Sequence, residues 1–300
     1  MSVRMIAASL LAATLGVPHA GRAQDAPAPT AEQSVAATAA PDIMKVNFFD
    51  LGLRATGYTD ASDEARHQRY RDLRNGATLD AFRFSRDTAT HWFAVTADHT
   101  GYRDQRYTAS LNQFGRLKSS VEWNQTPLFF SRDTLTLYSS PSPGVLRIDD
   151  AIQRGIENKE TTLAAATGQA VPFDMRLKRS VADFKLTYEA TPHLDLDLTL
   201  KHTAKTGSQP WAGSFGFGNA VELAVPVDTR TTEVGGALEW SNQRGSARVG
   251  YDGSFFRNDI DTLVWDNPLR ITDSPTAGPS QGRMSLWPDS SLNAGSAMGT

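Results

Sequence analysis

The strongest constraint on the fold is a strict alternation of apolar and polar side chains. Across residues 194–201, every even position is Leu and every odd position is Asp, Thr or Lys. Successive side chains of an extended chain point to opposite faces, so this segment is predicted to be a β-strand with one dry face and one wet face. Residues 182–190 alternate in the same way. Only residues 191–193 separate the two segments, which predicts a tight hairpin.

The alternation recurs along the chain and predicts an all-β protein. We predict about nine strands from residue 44 onward, with residues 291–300 opening a tenth. The predicted connections are short near 87–90, 115, 191–193 and 241–245, long at 58–76, 126–179, 203–229 and 257–290, and irregular only at 101–105. Short turns at one end and long loops at the other are typical of a transmembrane antiparallel β-barrel of the outer membrane. The short turns are then expected in the periplasm.

A water-soluble β-sandwich or β-barrel is the alternative fold, because it also alternates where one face meets a core. Two features favour the membrane barrel. Charges occupy the centres of the polar strand faces, and aromatic residues recur near strand ends, where a ring can lie in lipid with its polar atom among headgroups. These aromatic residues are Trp92, Trp123, Tyr188, Trp240 and Phe255.

The N-terminus has the form of a secretory signal peptide. Arg4 precedes an apolar run at residues 5–17, and Gly21 and Ala23 precede a possible cleavage point. The run of about 13 residues is shorter than the roughly 20 that a membrane-spanning helix needs. We expect residues 1–23 to be a signal peptide, 24–43 a flexible periplasmic lead-in and 44–300 the β-barrel. The protein is then exported to the outer membrane of a Gram-negative bacterium, without a transmembrane helix.

The composition argues against several functions. The chain has no cysteine, which removes disulfides, thiolate metal sites and covalent haem attachment. Lys and Arg total 30 against 33 for Asp and Glu, and a net charge of -3 offers no sequence-wide basic field for nucleic acid. The histidines show no metal-binding spacing and no GxSxG elbow occurs. We therefore predict no catalytic residues, no metal site and no enzyme activity.

Two loop segments carry local signals. The Gly-rich run at 213–219 has neither a GxGxxG motif nor a P-loop lysine, so it predicts a close turn with aromatic anchors rather than a phosphate site. Residues 149–158 predict a short helix in the longest loop, with its mixed charges facing solvent.

A series of short motifs runs along the mature chain. In chain order they are QRYRDLR (68–74), GYRDQRY (101–107), EWNQTPL (122–128), SRDT (131–134), QPW (209–211), SFGF (214–217), PVDTRT (226–231), TLVWDNP (262–268) and GPSQGR (278–283). Together they resemble the motifs of the MtrB/PioB family of decahaem-associated outer-membrane proteins. They extend from about Phe49 over nearly all the mature chain, and their order makes the resemblance specific.

The resemblance implies a large barrel that surrounds a periplasmic decahaem c-type cytochrome and supports electron transfer across the outer membrane. In some members a further multihaem cytochrome docks outside. No cofactor would be bound covalently by this chain, since the haem belongs to the partner. A polar lining would keep the partner's charges out of hydrocarbon, where each costs several kcal/mol. The candidate lumen-facing partner contacts are Asp183, Lys185, Glu189, Asp195, Asp197, Lys201, Glu233, Glu239, Arg248 and Asp252.

Two features depart from the family pattern. Some members carry a CxxC near the mature N-terminus, and this chain has no cysteine. Nine or ten strands make a barrel filled by side chains, whereas a lumen for a folded cytochrome needs well over about 16 to 18 strands. We therefore expect the N-terminal part of a longer barrel. A small diffusion porin or substrate channel is the alternative function, and an outer-membrane enzyme is a third hypothesis.

Overall fold

Ten strands form one antiparallel sheet in the computed structural model, which describes residues 47–215 and 220–300. In spatial order they are β1 (Phe48–Arg54), β2 (Gly76–Asp87), β3 (His91–Thr100), β4 (Arg106–Gln113), β5 (Leu117–Thr136), β8 (Val171–Thr191), β9 (Leu194–Ser214), β10 (Ala220–Asn242), β11 (Gly245–Asn258) and β14 (Ser290–Gly299). The all-β antiparallel prediction and the tenth strand are confirmed. The sheet is open, with β1 and β14 at its edges. The predicted signal peptide and lead-in lie outside the described residues.

The two longest connections contribute a second, smaller sheet. Its strands lie in the order β13 (Gln281–Ser285), β12 (Thr262–Asp266), β7 (Val145–Arg147) and β6 (Ser139–Ser142). Three helices are α1 (Ala61–His67), α2 (Asp150–Glu157) and α3 (Leu163–Ala166), which a 3-10 turn (Thr167–Gln169) follows. We call β6, β7, β12, β13 and α2 together the loop module. No helix in the described part of the chain is long and apolar enough to cross a membrane.

One face of the large sheet is a continuous apolar surface. Leu200 on β9 lies opposite Phe184 on β8 and Val234 on β10, so the apolar positions of neighbouring strands fall in common rows. These side chains are open to the surroundings: Leu53 is 89% exposed and Val249 61%. An apolar surface of this extent is an aggregation hazard in water but suits contact with lipid. The structure therefore supports the membrane barrel over the soluble sandwich.

Aromatic residues bound this apolar face at both ends. Trp123 and Phe255 lie in one row toward the long loops, the row that also holds Thr232, while Tyr188 and Trp240 lie near the short turns. Positions 232 to 240 of β10 span about 27 Å along the strand, or about 21 Å across the membrane at a tilt of about 40°. This height approaches the roughly 25 Å apolar band of outer-membrane barrels.

The prediction for Trp92 was wrong about its face. Trp92 pairs with Asn112 and Asp87, and it lines a groove with Lys118 on the polar side of the sheet. Because side chains alternate, the adjacent Phe93 takes the apolar face and Trp92 must take the other.

The central strands are much longer than predicted. β5, β8, β9 and β10 contain 20, 21, 21 and 23 residues and continue through segments 126–136, 171–179, 203–214 and 220–229, which we expected to be loops. The β9–β10 pairing is unbroken from Trp240 to Ala220. Cross-strand pairing therefore holds these segments extended beyond the apolar band. In β10 burial still alternates there, but the buried positions are the odd-numbered ones, on the face opposite to lipid.

The buried core lies at the outer end of the sheet rather than within the band. Leu223 and Val225 are each 1% exposed, and they occupy the same face of β10 as Glu233. They pack with Leu263 and Trp265 of the loop module in one hydrophobic cluster. The polar face thus becomes apolar above the membrane, and the loop module covers it there.

Glycines make room for the Trp265 ring. A Cβ at Gly213 would lie 2.8 Å from the ring, and one at Gly282 would collide with it. Phe215 meets Trp265 edge to face with centroids 6.2 Å apart. The predicted aromatic anchor of the Gly-rich run is therefore present in Phe215, while residues 216–219 of that run lie outside the described residues.

Helix α2 confirms the predicted short helix but is not simply a solvated one. Asp150 and Arg154 are exposed as expected. Glu157, however, accepts hydrogen bonds from the Thr272 hydroxyl, from the backbone amides of Ile271 and Thr272, and from Arg270 at 2.9 Å. The Thr272 and Ile271 hydrogen bonds chiefly lower the pKa of Glu157 to about 2. The helix therefore fastens one long connection to the other.

We expect the two faces of β9 to differ in their tolerance of charge. Leu198→Arg should destabilise the membrane-inserted sheet by about 2–4 kcal/mol, because its side chain points to lipid at mid-band, opposite Leu186 and Gly236. Thr199→Arg, one residue away on the polar face, is the control and should cost far less. Unfolding by urea in lipid vesicles measures the difference. Equal losses for the two variants would contradict the assigned faces.

The attachment of α2 should weaken in acid. Because folding lowers the pKa of Glu157 from its ordinary 4.5 to about 2, the stabilisation is complete above about pH 4.5 and is lost as the pH falls toward 2. Glu157→Gln should make the attachment of α2 independent of pH in this range, because the amide does not ionise. Asp150→Asn, on the exposed side of the helix, should leave the pH dependence unchanged. The measurement is hydrogen-exchange protection of the Ile271 and Thr272 amides. Protection that does not change between pH 6 and pH 2.5 in the unaltered protein would show that the carboxylate does not hold this segment.

Candidate functional site: the polar face

The polar face is the side of the large sheet opposite the apolar face. It carries all ten residues that the sequence analysis selected, because the register of β8 to β11 keeps them on one side. They are Asp183, Lys185, Glu189, Asp195, Asp197, Lys201, Glu233, Glu239, Arg248 and Asp252. Their role as contacts for a partner stays a prediction.

Charges of both signs meet in the middle of this face. Lys201 lies directly opposite Asp183 on one side and Glu233 on the other, with its Nζ 3.4 Å from Glu233 Oε2. Lys185 Nζ lies 3.8 Å from Asp183 Oδ1. These side chains are largely open to solvent, so each pair stabilises the sheet by no more than about 1 kcal/mol. Their charges therefore stay available to whatever occupies the lumen.

A groove lies among these charges, and Gly235 is part of its lining. A Cβ at Gly235 would lie 2.5 Å from Thr199 Oγ1 and 3.2 Å from Asp252 Oδ1, so these neighbours leave no room for a larger residue. The open groove has a volume of about 490 Å³ and a lining that includes Lys201 and Glu233. The groove can accept a polar side chain of either charge sign from an occupant of the lumen.

Charge sign changes along the height of the polar face. At the short-turn end, Glu189, Asp195 and Glu239 lie side by side on three neighbouring strands, and only Arg248 follows them in the row. At the long-loop end, Arg179 lies directly opposite Lys205. Three neighbouring carboxylates therefore lie at the turn end, and two facing cations lie at the loop end. Like charges directly opposite each other destabilise a sheet, so stability does not explain the acidic row.

Sequence reasoning missed the first part of this surface. Arg106 donates to Glu122 at 2.9 Å across β4 and β5, and Arg83 pairs with Asp98 across β2 and β3. The alternation around residues 118–124 predicts Glu122 on the polar face, although Glu122 is not among the candidate contacts. Arg106, however, is the first residue of its strand and follows the irregular 101–105 joint, so its face could not be read from a repeating pattern.

Strand β14 does not follow the apolar and polar faces of its neighbours. Leu292 lies opposite Ser254 and Met298 opposite Arg248, which places both on the polar face, while Asn293 falls on the apolar face beside Gly253. Its residues are small and weakly alternating, so backbone pairing rather than side-chain burial sets the register.

The described residues contain no group of three or more His, Asp or Glu side chains arranged to hold a metal ion. His202 is a strand residue on the apolar face, and its Nδ1 lies 2.9 Å from the Thr232 hydroxyl in the outer aromatic row. The structure thus presents a charged wall and a groove.

The family model described as "Putative outer membrane beta-barrel porin, MtrB/PioB" matches residues 59–294. The chain belongs to the MtrB/PioB family. The resemblance seen in the sequence motifs is therefore confirmed, and with it the outer-membrane, porin-like character of the barrel. In an MtrB/PioB barrel wall, the apolar face meets lipid and the polar face lines the lumen.

Two individual proteins are similar to this chain. Outer membrane protein MtrB of Shewanella baltica (strain OS185) is 24% identical over 208 residues, which are 69% of this chain and 29% of that protein. The chain thus spans less than a third of that relative. OmpT, an outer membrane protein of Vibrio cholerae folded in vitro, is 13% identical and aligns over 85% of this chain and 78% of its own. Its TM-score of 0.18 is too low to show a shared fold.

We expect the acidic row to be a cost to stability. Asp195→Asn should raise the free energy of unfolding by about 0.2–1 kcal/mol, because Asp195 faces a carboxylate on each side. Asp197→Asn is the matched control. Asp197 accepts a 2.8 Å hydrogen bond from Thr187, so this change should bring no gain. Urea unfolding at low salt measures both. A loss of stability in Asp195→Asn would show that the row is stabilising instead.

Proposed function

We propose that this chain forms part of an outer-membrane barrel wall that sheathes a periplasmic multihaem c-type cytochrome and so supports electron transfer across the outer membrane. The observation that carries the proposal is the polar face, a charged surface that crosses the height of the apolar band on neighbouring strands. Export by the signal peptide at residues 1–23 belongs to the same proposal.

The partner's charges would be costly to bury in lipid. A multihaem protein carries ionised propionates and a polar surface, and burying each charge in hydrocarbon costs several kcal/mol. The rows around Lys201 and Glu233 offer both charge signs to such a surface, and the groove at Gly235 offers room for protruding side chains. The wall thus replaces water around the partner while the apolar face meets the lipid.

In this proposal the haem belongs entirely to the partner. The chain has no cysteine to attach a c-type haem, and we propose no catalytic role for it. Electrons then pass between haems inside the sheath. The chain contributes position and insulation.

The width of the lumen requires more strands than the described sheet contains. Ten strands closed on themselves leave an interior filled by side chains, whereas a folded cytochrome needs well over about 16 to 18 strands. Lipid does not tolerate unpaired backbone groups, so β1 and β14 need partners within the membrane. We propose that further strands of one barrel complete these edges.

Haem co-purification tests the sheath. The protein would be purified from outer membranes of cells that also express a periplasmic multihaem c-type cytochrome, and the Soret absorbance of the complex would be recorded. We expect haem to be retained. The double change Asp183→Lys and Glu233→Lys should lower the haem-to-protein ratio by about tenfold, if the lost pairs total about 1.4 kcal/mol. Asp150→Lys, on an exposed helix of the loop module, is the charge-reversal control and should retain haem.

A diffusion porin is the second candidate function. The family description and the water-compatible polar face both favour it over an enzyme. In that case the purified protein would conduct ions in planar bilayers without any partner, and no haem would co-purify. This pair of results would contradict the sheath.

A further inference from the structure

A basic patch lies on the outer side of the wall above the apolar band. The pairing of β5 with β8 runs without a break from Trp123 to Phe129, where Phe129 lies opposite Arg176 and Pro127 opposite Lys178. Arg176 and Lys178 therefore share the lipid side with Trp123. Six residues separate Trp123 from Phe129, which places this patch about 10–15 Å above the aromatic row at a strand tilt of about 40°.

A third cation reaches the patch from the β3–β4 connection. The Arg103 guanidinium lies over the Phe129 ring at 5.9 Å, and the Arg132 guanidinium lies over the same ring at 4.5 Å. Arg132 is committed to Glu64 at 3.2 Å and to Gln68 at 3.0 Å. Phe129 is buried, so its ring gives the guanidinium planes a fixed support.

The connection that carries Arg103 is itself held firmly. The Arg103 backbone amide donates to Asp72 at 2.9 Å, and the Asp72 carboxylate also binds Arg74 at 2.7 Å. The Arg74 guanidinium donates to the carbonyl of Gly101 at 3.0 Å. The irregular 101–105 joint is therefore locked against the β1–β2 connection, and Arg103 needs little reordering to bind a ligand.

The patch has more positive charge than its neighbours neutralise. Within the described residues, Arg103 and Lys178 form no ion pair, and the carboxylate nearest to Arg176 is Asp174 at 3.9 Å. Burial first, and then the adjacent Arg176, lower the pKa of the Arg103 guanidinium. An anion between the two guanidinium groups would relieve this crowding.

We propose that Arg103, Arg176 and Lys178 bind the phosphate groups of lipopolysaccharide in the outer leaflet. This leaflet presents phosphorylated sugars above the hydrocarbon, at the height of the patch and on its side of the wall. Guanidinium groups bind phosphate through paired charge-assisted hydrogen bonds, and a lysine adds a mobile point charge. Basic side chains next to a membrane segment bind anionic headgroups in the same way. The proposal does not depend on the cytochrome partner.

The sheet supplies a matched control for this proposal. Arg179 and Lys205 lie opposite each other at the same height, but on the lumen side of the wall. A purely electrostatic attraction to anionic lipid would respond to either pair of cations. A site on the outer surface would respond only to Arg176 and Lys178.

Lipopolysaccharide retention tests the proposal. The full chain would be purified from outer membranes, and the bound lipopolysaccharide would be quantified after exchange into detergent. We expect the double change Arg176→Gln and Lys178→Gln to lower retention by about tenfold, as the loss of charge-assisted hydrogen bonds predicts. Arg179→Gln with Lys205→Gln should leave retention unchanged. The charge-preserving change Arg176→Lys with Lys178→Arg should keep most of the retained lipopolysaccharide. It controls for a loss of folding caused by any substitution at these two positions.

Lipid chemistry provides the second arm of the test. Enzymatically dephosphorylated lipopolysaccharide should be retained no better by the unaltered protein than by the Arg176→Gln, Lys178→Gln variant. Equal losses in the outer and lumen variants would overturn the proposal, as would unchanged retention in the outer variant. Displacement of the lipid by equimolar inorganic phosphate would also overturn it, because it would show a general anion site.

Discussion

The structure depends on the need of every backbone N–H and C=O group in the membrane to find a partner within the sheet. Lipid offers no hydrogen bonds, so antiparallel pairing must run without gaps through the apolar band. From β8 to β11 the register does so, and it thereby fixes which side chain of each strand faces which side. Leu200 and Lys201 are adjacent in sequence, yet one meets lipid and the other meets the lumen.

The same pairing couples the membrane region to the surface outside it. β9 and β10 stay in one register beyond the band, so the face that carries Glu233 also carries Leu223 and Val225, which the loop module covers. On the opposite side, β5 and β8 bring Arg176 and Lys178 above Trp123. One ladder therefore positions the charged lumen wall, the outer hydrophobic core and the basic patch, and each owes its place to a continuous register.

The sequence predicted what a two-residue period can show. It identified the strands, the apolar face, the ten charged positions of the polar face and helix α2. It did not predict the long extensions of β9 and β10. In β10 the apolar positions change from even numbers within the band to odd numbers at residues 221–227, where they face the loop module, so the two segments do not read as one strand. The sequence placed Trp92 on the wrong face, and it predicted strand β14 without assigning its two faces, because its small residues carry little pattern. The contacts of Glu157 and Arg103 depend on connections distant in sequence, and no local signal reveals them.

The account is tested most directly by mapping which side of β9 meets lipid. Because the chain has no cysteine, a single cysteine introduced at each position from 194 to 201 carries a unique spin label. Its accessibility to lipid-soluble oxygen and to a water-soluble nickel complex can be measured in bilayers. We predict that even positions favour oxygen and odd positions favour nickel, and that bound cytochrome lowers nickel access only at the odd positions. Uniform accessibility along the strand, or the opposite alternation, would contradict the two-sided wall.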